Sequence, residues 1–180
     1  MSGLYGLVVT TKAQIRQSLL AAAKQRQYDP VALAHEILQQ SAVKQAKRIG
    51  VYVALPSEPS LTHFIDMVSV SLALPVYDSQ KNRYIFRDYR PGETVLRLGE
   101  DGCLAPGIDV PIIMQLDVMI VPCVAVDKQG NRLGRGRGVY DQLLADYATY
   151  SIGVAHVKHQ LDIVPVEPHD QPVQAVILAE

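Results

Sequence analysis

The segment GNRLGRGRGVYD, residues 130–141, combines residue types that bind anions. Its glycines and arginines are Gly130, Arg132, Gly134, Arg135, Gly136, Arg137 and Gly138. Glycine allows positive φ angles and a close approach of the main chain to a ligand. Successive amides form an anion nest, and a helix that follows adds its positive end. Because the arginine fork also matches phosphate or carboxylate, the segment indicates a polyphosphate site.

Two standard phosphate motifs do not fit this segment. It lacks the GxxxxGK[ST] pattern of a P-loop. Its GxGxG spacing runs into Val139, where a dinucleotide fingerprint continues toward a third spaced glycine. An RNA-binding arginine-glycine segment is disfavoured, because the run is short and lacks flanking aromatic residues of the stacking kind. A solvated basic turn remains the alternative to an anion site.

Three more charged residues are candidates for the same site. Lys12 and Arg16 are four residues apart on a predicted helix and share a face. They either clamp the same anion or form a solvated helix face. Glu58 lies between Pro56 and Pro59, which stiffen the loop and orient its carboxylate. This carboxylate either accepts hydrogen bonds from an amine-bearing ring or is an exposed loop acid.

Two aspartates are candidate metal ligands. Asp141 begins the helix after the glycine run, where it either caps that helix or holds Mg²⁺ beside phosphates. Asp170, flanked by prolines in VEPHDQP, is the second candidate. His156 and His159 have no third ligand that supports a metal site, so we interpret them as ordinary histidines. The sequence contains no visible Ser-His-Asp or Cys-His set.

Helices and strands alternate along the chain and must position these residues. Periodicity predicts helices at 12–27, 29–38, 59–68 and 139–147. The expected helix caps are Thr10 or Thr11, Asp29 and Ser60. Strands are predicted at 48–55, 71–78, 83–89 (at a sheet edge), 116–127, 150–156 and 172–180. Residues 90–110 are rich in glycine and proline and carry few periodic signals.

This order of elements predicts an α/β fold. The strands are nearly continuous apolar runs, which favours a three-layer αβα arrangement: a mostly parallel central sheet with helices on both faces. The glycine-arginine segment follows a buried strand and precedes a helix. It therefore belongs at the carboxyl edge of the sheet, where open α/β folds bind ligands.

Composition excludes several classes of protein. The 180 residues suit one domain, residues 1–180, and 48% hydrophobic with 19% charged residues is typical of a globular protein rather than a disordered one. A net charge of −1 provides no general attraction to nucleic acid or to a membrane. Cys103 and Cys123 are too few for a disulfide framework and are expected to be reduced. No signal peptide or spanning segment is visible, so we expect a cytoplasmic protein. The near-neutral charge and the lack of an unmatched apolar helix favour a monomer.

Taken together, the motifs resemble the 5-formyltetrahydrofolate cyclo-ligase (5,10-methenyltetrahydrofolate synthetase) family. The most specific match is DVMIVPCVAVDKQGNRLGRGRGVYD. Further matches occur in the family's order, namely KAQIR, VYVALPSEP, LALPV and IVPVEPHDQP, and extend over about residues 12–178. Val139 departs from the Tyr or Phe usual in the family, and Ala105 from a frequent Glu. The first eleven residues have no counterpart and are treated as an N-terminal extension.

The resemblance implies ATP- and Mg²⁺-dependent cyclisation of 5-formyltetrahydrofolate to 5,10-methenyltetrahydrofolate. It implies ATP contacts from Lys12, Arg16, Arg132, Leu133, Gly134, Arg135, Gly136, Arg137, Gly138, Val139 and Tyr140. It implies substrate contacts from Val53, Glu58, Arg135, Gly136, Arg137, Gly138 and Val139. Arg135 and Arg137 would act in catalysis, and Asp141 and Asp170 would hold Mg²⁺. The alternatives are a non-catalytic folate- or nucleotide-binding relative and a sugar-phosphate enzyme of similar architecture.

Overall fold

The computed structural model describes residues 11–23, 27–147 and 149–180. The helices in this part of the chain are α1 (Lys12–Ala23), α2 (Pro30–Gln39), α3 (Ser41–Gln45), α4 (Thr62–Met67) and α5 (Val139–Tyr147). The strands are β1 (Arg48–Gly50), β2 (Ser71–Asp78), β3 (Arg83–Tyr89), β4 (Leu96–Leu98), β5 (Leu104–Pro106), β6 (Ile112–Ile113), β7 (Val118–Pro122), β8 (Ala125–Val126), β9 (Arg132–Leu133), β10 (Tyr150–His156) and β11 (Ala175–Ala179). The predicted cap Thr10 and the predicted helical residues 24–26 lie outside the described residues.

A seven-stranded sheet forms the centre of the molecule, in the order β11-β10-β7-β1-β2-β3-β6. The strands from β11 to β2 are parallel, whereas β3 and β6 are antiparallel additions at one edge. The predicted mostly parallel sheet is therefore confirmed. The interpretation of residues 83–89 as an edge strand is wrong, because β6 pairs with β3 and occupies that edge.

Alternating side chains of β7 face two apolar layers. Val118 and Ile120 pack into the layer that α2 and α4 cover, and Met119 and Val121 pack into the layer that contains Leu143 of α5. Successive strand residues point to opposite faces, so a continuous apolar run requires cover on both sides. The αβα arrangement with helices on both faces is confirmed.

Four elements have the bounds that the sequence predicts, namely β2, β3, α5 and β10. The predicted strand 116–127 is divided instead. It leaves the central sheet after Pro122, which has no amide to donate to the ladder, and resumes as β8 in a separate two-stranded sheet with β9. The predicted strand 48–55 ends at Gly50, where the chain turns into the loop that carries Glu58.

Tertiary contacts shift the start of α4. The prediction of a helix from residue 59 is wrong, because the Pro59 carbonyl accepts from Tyr52 and the Ser60 amide donates to Tyr28. The helix begins at Thr62 with Leu61 as N-cap, so the predicted Ser60 cap is also wrong. Elsewhere the caps are confirmed for the described residues: Asp29 accepts the first amides of α2, and Thr11 caps α1.

Thr11 begins α1 with a reciprocal capping box. Its hydroxyl accepts the Gln14 amide, and the Gln14 side chain accepts the Thr11 amide. The apolar side of the helix, with Ile15 and Leu19, packs on a small cluster that includes Leu133 of β9. This packing fixes α1 beside the segment that follows β9. In the described part of the chain, no helix has the length and apolar character needed to cross a membrane.

Candidate active site

One cavity of about 950 Å³ opens at the carboxyl end of the parallel strands. Its walls include all the residues that the family resemblance implied as ligand contacts: Lys12, Arg16, Val53, Glu58, Arg132, Leu133, Gly134, Arg135, Gly136, Arg137, Gly138, Val139, Tyr140, Asp141 and Asp170. These residues come from α1, from the loop after β1, from the stretch that runs from β9 into the first turn of α5, and from the loop before β11, here called the C-terminal loop. The fold thus gathers positions up to 158 residues apart, as Lys12 and Asp170 are.

The β8–β9 hairpin, residues 125–133, supports this cavity. Asp127 is 1% exposed, and both its carboxylate oxygens accept hydrogen bonds. The donors are the Gln129 amide, the Asn131 amide and side chain, and the Val164 amide. Burial alone raises the pKa of Asp127, but these donors outweigh it and hold the pKa below the ordinary value. The carboxylate therefore stays charged and fixes the turn.

Gly130 belongs to that hairpin turn. It has a φ of 82°, and a Cβ added to it would meet the Val173 carbonyl oxygen at 2.2 Å. The expectation that this glycine helps the chain approach a ligand is therefore wrong. The absence of a side chain lets Gly130 pack closely against residue Val173 instead. The Val173 amide donates to the Gly130 carbonyl.

Residues 134–138, here called the glycine loop, follow the hairpin and line the cavity. Gly136 and Gly138 have positive φ angles of 94° and 67°, whereas Gly134 does not need one. The Arg16 guanidinium lies over this loop and donates to the Gly134 carbonyl at 2.8 Å. Helix α5 begins directly afterwards at Val139, so its amino terminus points into the site.

Arg132 and Asp141 form the most buried ion pair of the site. Arg132 Nη2 donates to Asp141 Oδ1 at 2.7 Å, and the side chains are 4% and 21% exposed. The same oxygen also accepts the Gln171 amide. Arg132 Nε is buried with no hydrogen-bond partner among the described residues. This pair joins the end of the hairpin to the first turn of α5 and to the C-terminal loop.

Arg135 and Arg137 are exposed and reach across the cavity to loops on its other side. Arg135 Nε donates to Glu58 Oε1 at 2.7 Å, and its Nη2 donates to the Ser57 hydroxyl. Arg137 Nη1 donates to the Asp101 carbonyl at 2.7 Å. Contact of these guanidinium groups with phosphate stays a prediction, because protein oxygens are their partners here.

Glu58 is held by its own loop as well as by Arg135. Glu58 Oε2 accepts the Leu55 amide at 2.9 Å, and the Glu58 amide donates to the Leu55 carbonyl. Beneath the loop, the Tyr52 hydroxyl donates to the Pro59 carbonyl at 2.7 Å. Val53 lies on the same wall, half-buried. The carboxylate is thus pre-oriented beside an apolar surface, which suits an amine-bearing ring.

Lys12 and Asp170 pair at the opposite end of the cavity. Lys12 Nζ donates to Asp170 Oδ2 at 2.5 Å and lies 3.1 Å from Glu167 Oε2. Burial lowers the pKa of Lys12, but the two carboxylates raise it further, so the net pKa lies above the ordinary value. Burial likewise raises the pKa of Asp170, but the Lys12 ammonium and the Glu167 amide bring it below the ordinary value. Both groups are therefore charged at neutral pH.

The carboxylates of Asp141 and Asp170 have oxygens available for a metal ion. The hydrogen bonds among described residues engage Oδ1 of Asp141 and Oδ2 of Asp170, which leaves one oxygen on each. Carboxylate oxygens together with phosphate oxygens are the usual ligands of Mg²⁺. The donor set fits that ion. The potential metal ligands within 4.8 Å of one another in this part of the chain are Glu167, His169 and Asp170.

The remaining predicted residues give the cavity its apolar surface. Leu133 is buried beneath the glycine loop, and Val139 and Tyr140 are half-buried at the start of α5. Burial, with a contribution from the Glu58 charge, raises the pKa of Tyr140 well above its ordinary value. Tyr140 therefore remains a neutral phenol. Ala105 is buried on β5 and is not on the cavity wall, although its neighbour Leu104 is.

Sequence reasoning missed one wall of the cavity. It consists of Tyr84 on β3 and of residues 101–103, which belong to the turn 99–103 between β4 and β5, here called the Asp101 turn. Burial and the charge of Asp101 raise the pKa of Tyr84 to about 12 and also raise the pKa of Cys103. The Asp-Gly pair at 101–102 is a hairpin signal that could have located this turn, but neighbouring glycines and prolines obscured the short strands.

Comparisons with known proteins identify the family of this chain. Residues 8–179 match the sequence profile of the 5-formyltetrahydrofolate cyclo-ligase family. A 5-formyltetrahydrofolate cyclo-ligase of Haemophilus influenzae is 29% identical, with 94% of this chain and 95% of that protein covered. The Mycolicibacterium smegmatis enzyme of the same name is 32% identical over 73% of each chain.

Solved structures have the same fold. The NMR structure of Aquifex aeolicus 5,10-methenyltetrahydrofolate synthetase superposes with a TM-score of 0.80 at 23% identity, covering 94% of this chain and 90% of that one. A 5,10-methenyltetrahydrofolate synthetase from Mycoplasma pneumoniae gives a TM-score of 0.70 at 18% identity, with 93% and 98% covered. With the profile match over nearly the whole sequence, the chain belongs to the 5-formyltetrahydrofolate cyclo-ligase family.

Proposed function

We propose that this protein catalyses the ATP- and Mg²⁺-dependent cyclisation of 5-formyltetrahydrofolate to 5,10-methenyltetrahydrofolate, with release of ADP and phosphate. The observation that carries the proposal is the convergence of the family motifs on one cavity. Cations, carboxylates and a glycine loop meet there from distant parts of the chain. Such a site can place a polyphosphate beside an amine-bearing ring.

The chemistry requires activation of a poor leaving group. The formyl oxygen attacks the γ-phosphorus of ATP, and ADP leaves, which produces an imidate phosphate. N10 of the folate then attacks the formyl carbon and loses its proton, and inorganic phosphate departs with the former formyl oxygen. The protein contributes mainly position and charge neutralisation. Mg²⁺ bound at Asp141 and Asp170 would neutralise part of the phosphate charge.

We assign the two ends of the cavity to the two substrates. Lys12, Arg16 and the glycine loop surround the end proposed for the triphosphate, where guanidinium forks match phosphate oxygens. Glu58 and Val53 form the end proposed for the pterin. Arg135 connects them, because it belongs to the glycine loop and donates to Glu58.

Substrate binding in this proposal includes an exchange of partners at Arg135. Rotation of Arg135 away from Glu58 Oε1 would make room beside that oxygen for the hydrogen-bond donors of the pterin. A phosphate group offers Arg135 an alternative bidentate partner of higher charge. The movement needs only a side-chain rotation, since the Arg135 side chain is 35% exposed.

Product formation tests the proposal directly. The purified protein is mixed with ATP, MgCl₂ and 5-formyltetrahydrofolate, and the absorbance of the methenyl product is followed between about pH 5 and 8. We expect ATP-dependent product from the wild type and a loss of at least about a hundredfold in Arg137→Ala. Arg90→Ala removes an exposed arginine outside the cavity and serves as the matched control.

The outcomes of this assay separate the alternatives. No product from folded wild-type protein would contradict the proposal. Binding of ATP and folate without turnover would indicate a non-catalytic relative. A rate in Arg137→Ala equal to the wild-type rate would show that the glycine loop is only solvated.

The organisation of the protein is also a proposal. We propose a single-domain monomer in the cytoplasm. The seven strands of the central sheet come from positions between residue 48 and residue 179, which supports a single domain. Both cysteines are free thiols, as expected in a reducing compartment. Light scattering coupled to gel filtration tests the monomer, and a mass near 40 kDa, about twice 19.8 kDa, would contradict it.

A further inference from the structure

Arg137 needs an external partner to have a defined direction. It is exposed and lies between Gly136 and Gly138, whose φ angles of 94° and 67° are accessible mainly to glycine. An arginine on such a flexible main chain samples many rotamers unless a contact fixes it. In the structure, the Asp101 carbonyl provides this contact at 2.7 Å from Nη1.

The Asp101 turn that carries this carbonyl is internally ordered. The Gly99 amide donates to the Cys103 carbonyl, and the Gly102 amide donates to the Gly99 carbonyl. Asp101 Oδ1 accepts the Cys103 amide at 3.1 Å. The direction of the Asp101 carbonyl therefore depends on how the whole turn is attached to the fold.

Tyr84 attaches the turn to the cavity wall. Its hydroxyl donates to Asp101 Oδ2 at 3.1 Å. Because its pKa is about 12, this hydroxyl remains a donor throughout the neutral range. Its ring packs against Tyr77, the cross-strand partner on β2, with ring centres 5.2 Å apart.

The main chain at Tyr84 is fixed to the helix that follows the glycine loop. The Gln142 side chain of α5 accepts the Tyr84 amide at 2.8 Å and donates to the Tyr84 carbonyl at 2.9 Å. The connections therefore form a closed circuit. They run from α5 to Tyr84, from Tyr84 to the Asp101 turn, and from that turn to Arg137 just before α5.

We infer that Tyr84 and Asp101 are positioning residues, which hold the Asp101 carbonyl where it directs the Arg137 guanidinium into the cavity. The inference rests on the proposed function, in which turnover depends on Arg137 of the glycine loop, and here its guanidinium is taken to neutralise charge on the transferred phosphoryl group. Neither residue needs to touch the substrate. Each acts by restricting Arg137 to one direction before the substrates bind.

Tyr84→Phe tests the inference because it removes only the hydroxyl and leaves the ring on Tyr77. One hydrogen bond of this kind corresponds to about a tenfold change in rate. We expect kcat to fall about tenfold, with the KM values for ATP and folate changed by less than about twofold. The melting temperature should stay within about 3 °C of the wild type.

Tyr77→Phe is the matched control. The Tyr77 hydroxyl donates to Asn82 at the β2–β3 turn, and Tyr77 does not line the cavity. Tyr77→Phe removes one hydroxyl hydrogen bond from the same pair of rings but none that reaches the Asp101 turn. We therefore expect kcat to be unchanged. A conservative change provides a second control: Asp101→Asn retains polar partners for both Tyr84 and Cys103 and should keep the rate within about threefold, whereas Asp101→Ala should resemble Tyr84→Phe.

A double-mutant cycle identifies Arg137 as the residue that is positioned. Arg137→Lys keeps a cation, and hence a measurable rate, but removes the guanidinium fork. Adding Tyr84→Phe to Arg137→Lys should change kcat by less than about twofold. An equal tenfold loss in both backgrounds, or no loss in Tyr84→Phe alone, would overturn the inference. Failure of the wild type to form product would instead contradict the proposed function.

Discussion

The two halves of the glycine-arginine stretch have different environments. In the β8–β9 hairpin, Gly130 presses against the Val173 carbonyl, and Arg132 is 6% exposed. In the glycine loop, a Cβ on Gly138 would meet nothing within 4 Å, and the Arg135 side chain is 35% exposed. Similar residue types thus build a support in one half and an exposed, cavity-lining surface in the other. Glycine and arginine content alone does not distinguish the two.

Removal of the buried arginine should have the largest effect on stability. Among the described residues, Arg132→Met leaves Asp141 Oδ1 with the Gln171 amide as its remaining hydrogen-bond donor. An uncompensated, partly buried charge of this kind lowers the free energy of unfolding by about 3–5 kcal/mol. Urea unfolding measures the change. Arg132→Met combined with Asp141→Leu should recover part of the loss, and a change below 1 kcal/mol in the single variant would contradict a supporting role.

The variants Gly130→Ala and Gly138→Ala compare the two halves, because each adds a single Cβ atom to one of them. Both positions have a positive φ angle, and a residue with a Cβ in that conformation costs about 1–2 kcal/mol of folding free energy. At Gly130 the new Cβ also meets a main-chain oxygen, which cannot rotate away. We expect Gly130→Ala to lose about 2–4 kcal/mol and Gly138→Ala about 1 kcal/mol, measured by urea unfolding. Equal losses would show that the hairpin turn is no more constrained than the loop.

The hairpin should also give stability a pH dependence through Asp127. Its pKa is lower in the folded protein than in the unfolded chain, so its contribution is present above the unfolded pKa of about 3.9. That contribution disappears as the pH falls through the lower folded pKa. Asp127→Asn replaces an acceptor oxygen by a donor and should lower stability at pH 7 by about 1–3 kcal/mol. The difference between variant and wild type should shrink below about pH 4, and a constant difference would contradict the assignment.

The sequence predicted the elements with strong local signals. The apolar run of β10 and the periodic helix α5 have their predicted bounds, and the Asp29-Pro30 signal locates α2. The boundaries that moved depend on partners distant in sequence. Tyr28 and Tyr52 hold Pro59 and Ser60 out of helix α4. No local pattern reveals such contacts.

For the site, the sequence predicted which residues line the cavity better than it predicted which of them pair with one another. Lys12, Glu58 and Asp170 line one cavity, as their spacing within the family motifs implied. The pairing of Arg135 with Glu58 was not predictable, because it joins loops 77 residues apart. The wall formed by Tyr84 and the Asp101 turn was missed, since strands of three residues give no periodic signal.

Replacement of Arg135 should change stability least but should greatly reduce activity. Arg135→Ala removes an exposed contact to Glu58, so unfolding by urea should change by only about 1 kcal/mol. The direct test of the account is the turnover of Arg135→Ala relative to wild type in the methenyl product assay. We predict a fall of at least about a hundredfold in kcat/KM with the fold intact. A folded Arg135→Ala variant that turns over at the wild-type rate would contradict the assignment of the glycine loop to the substrates.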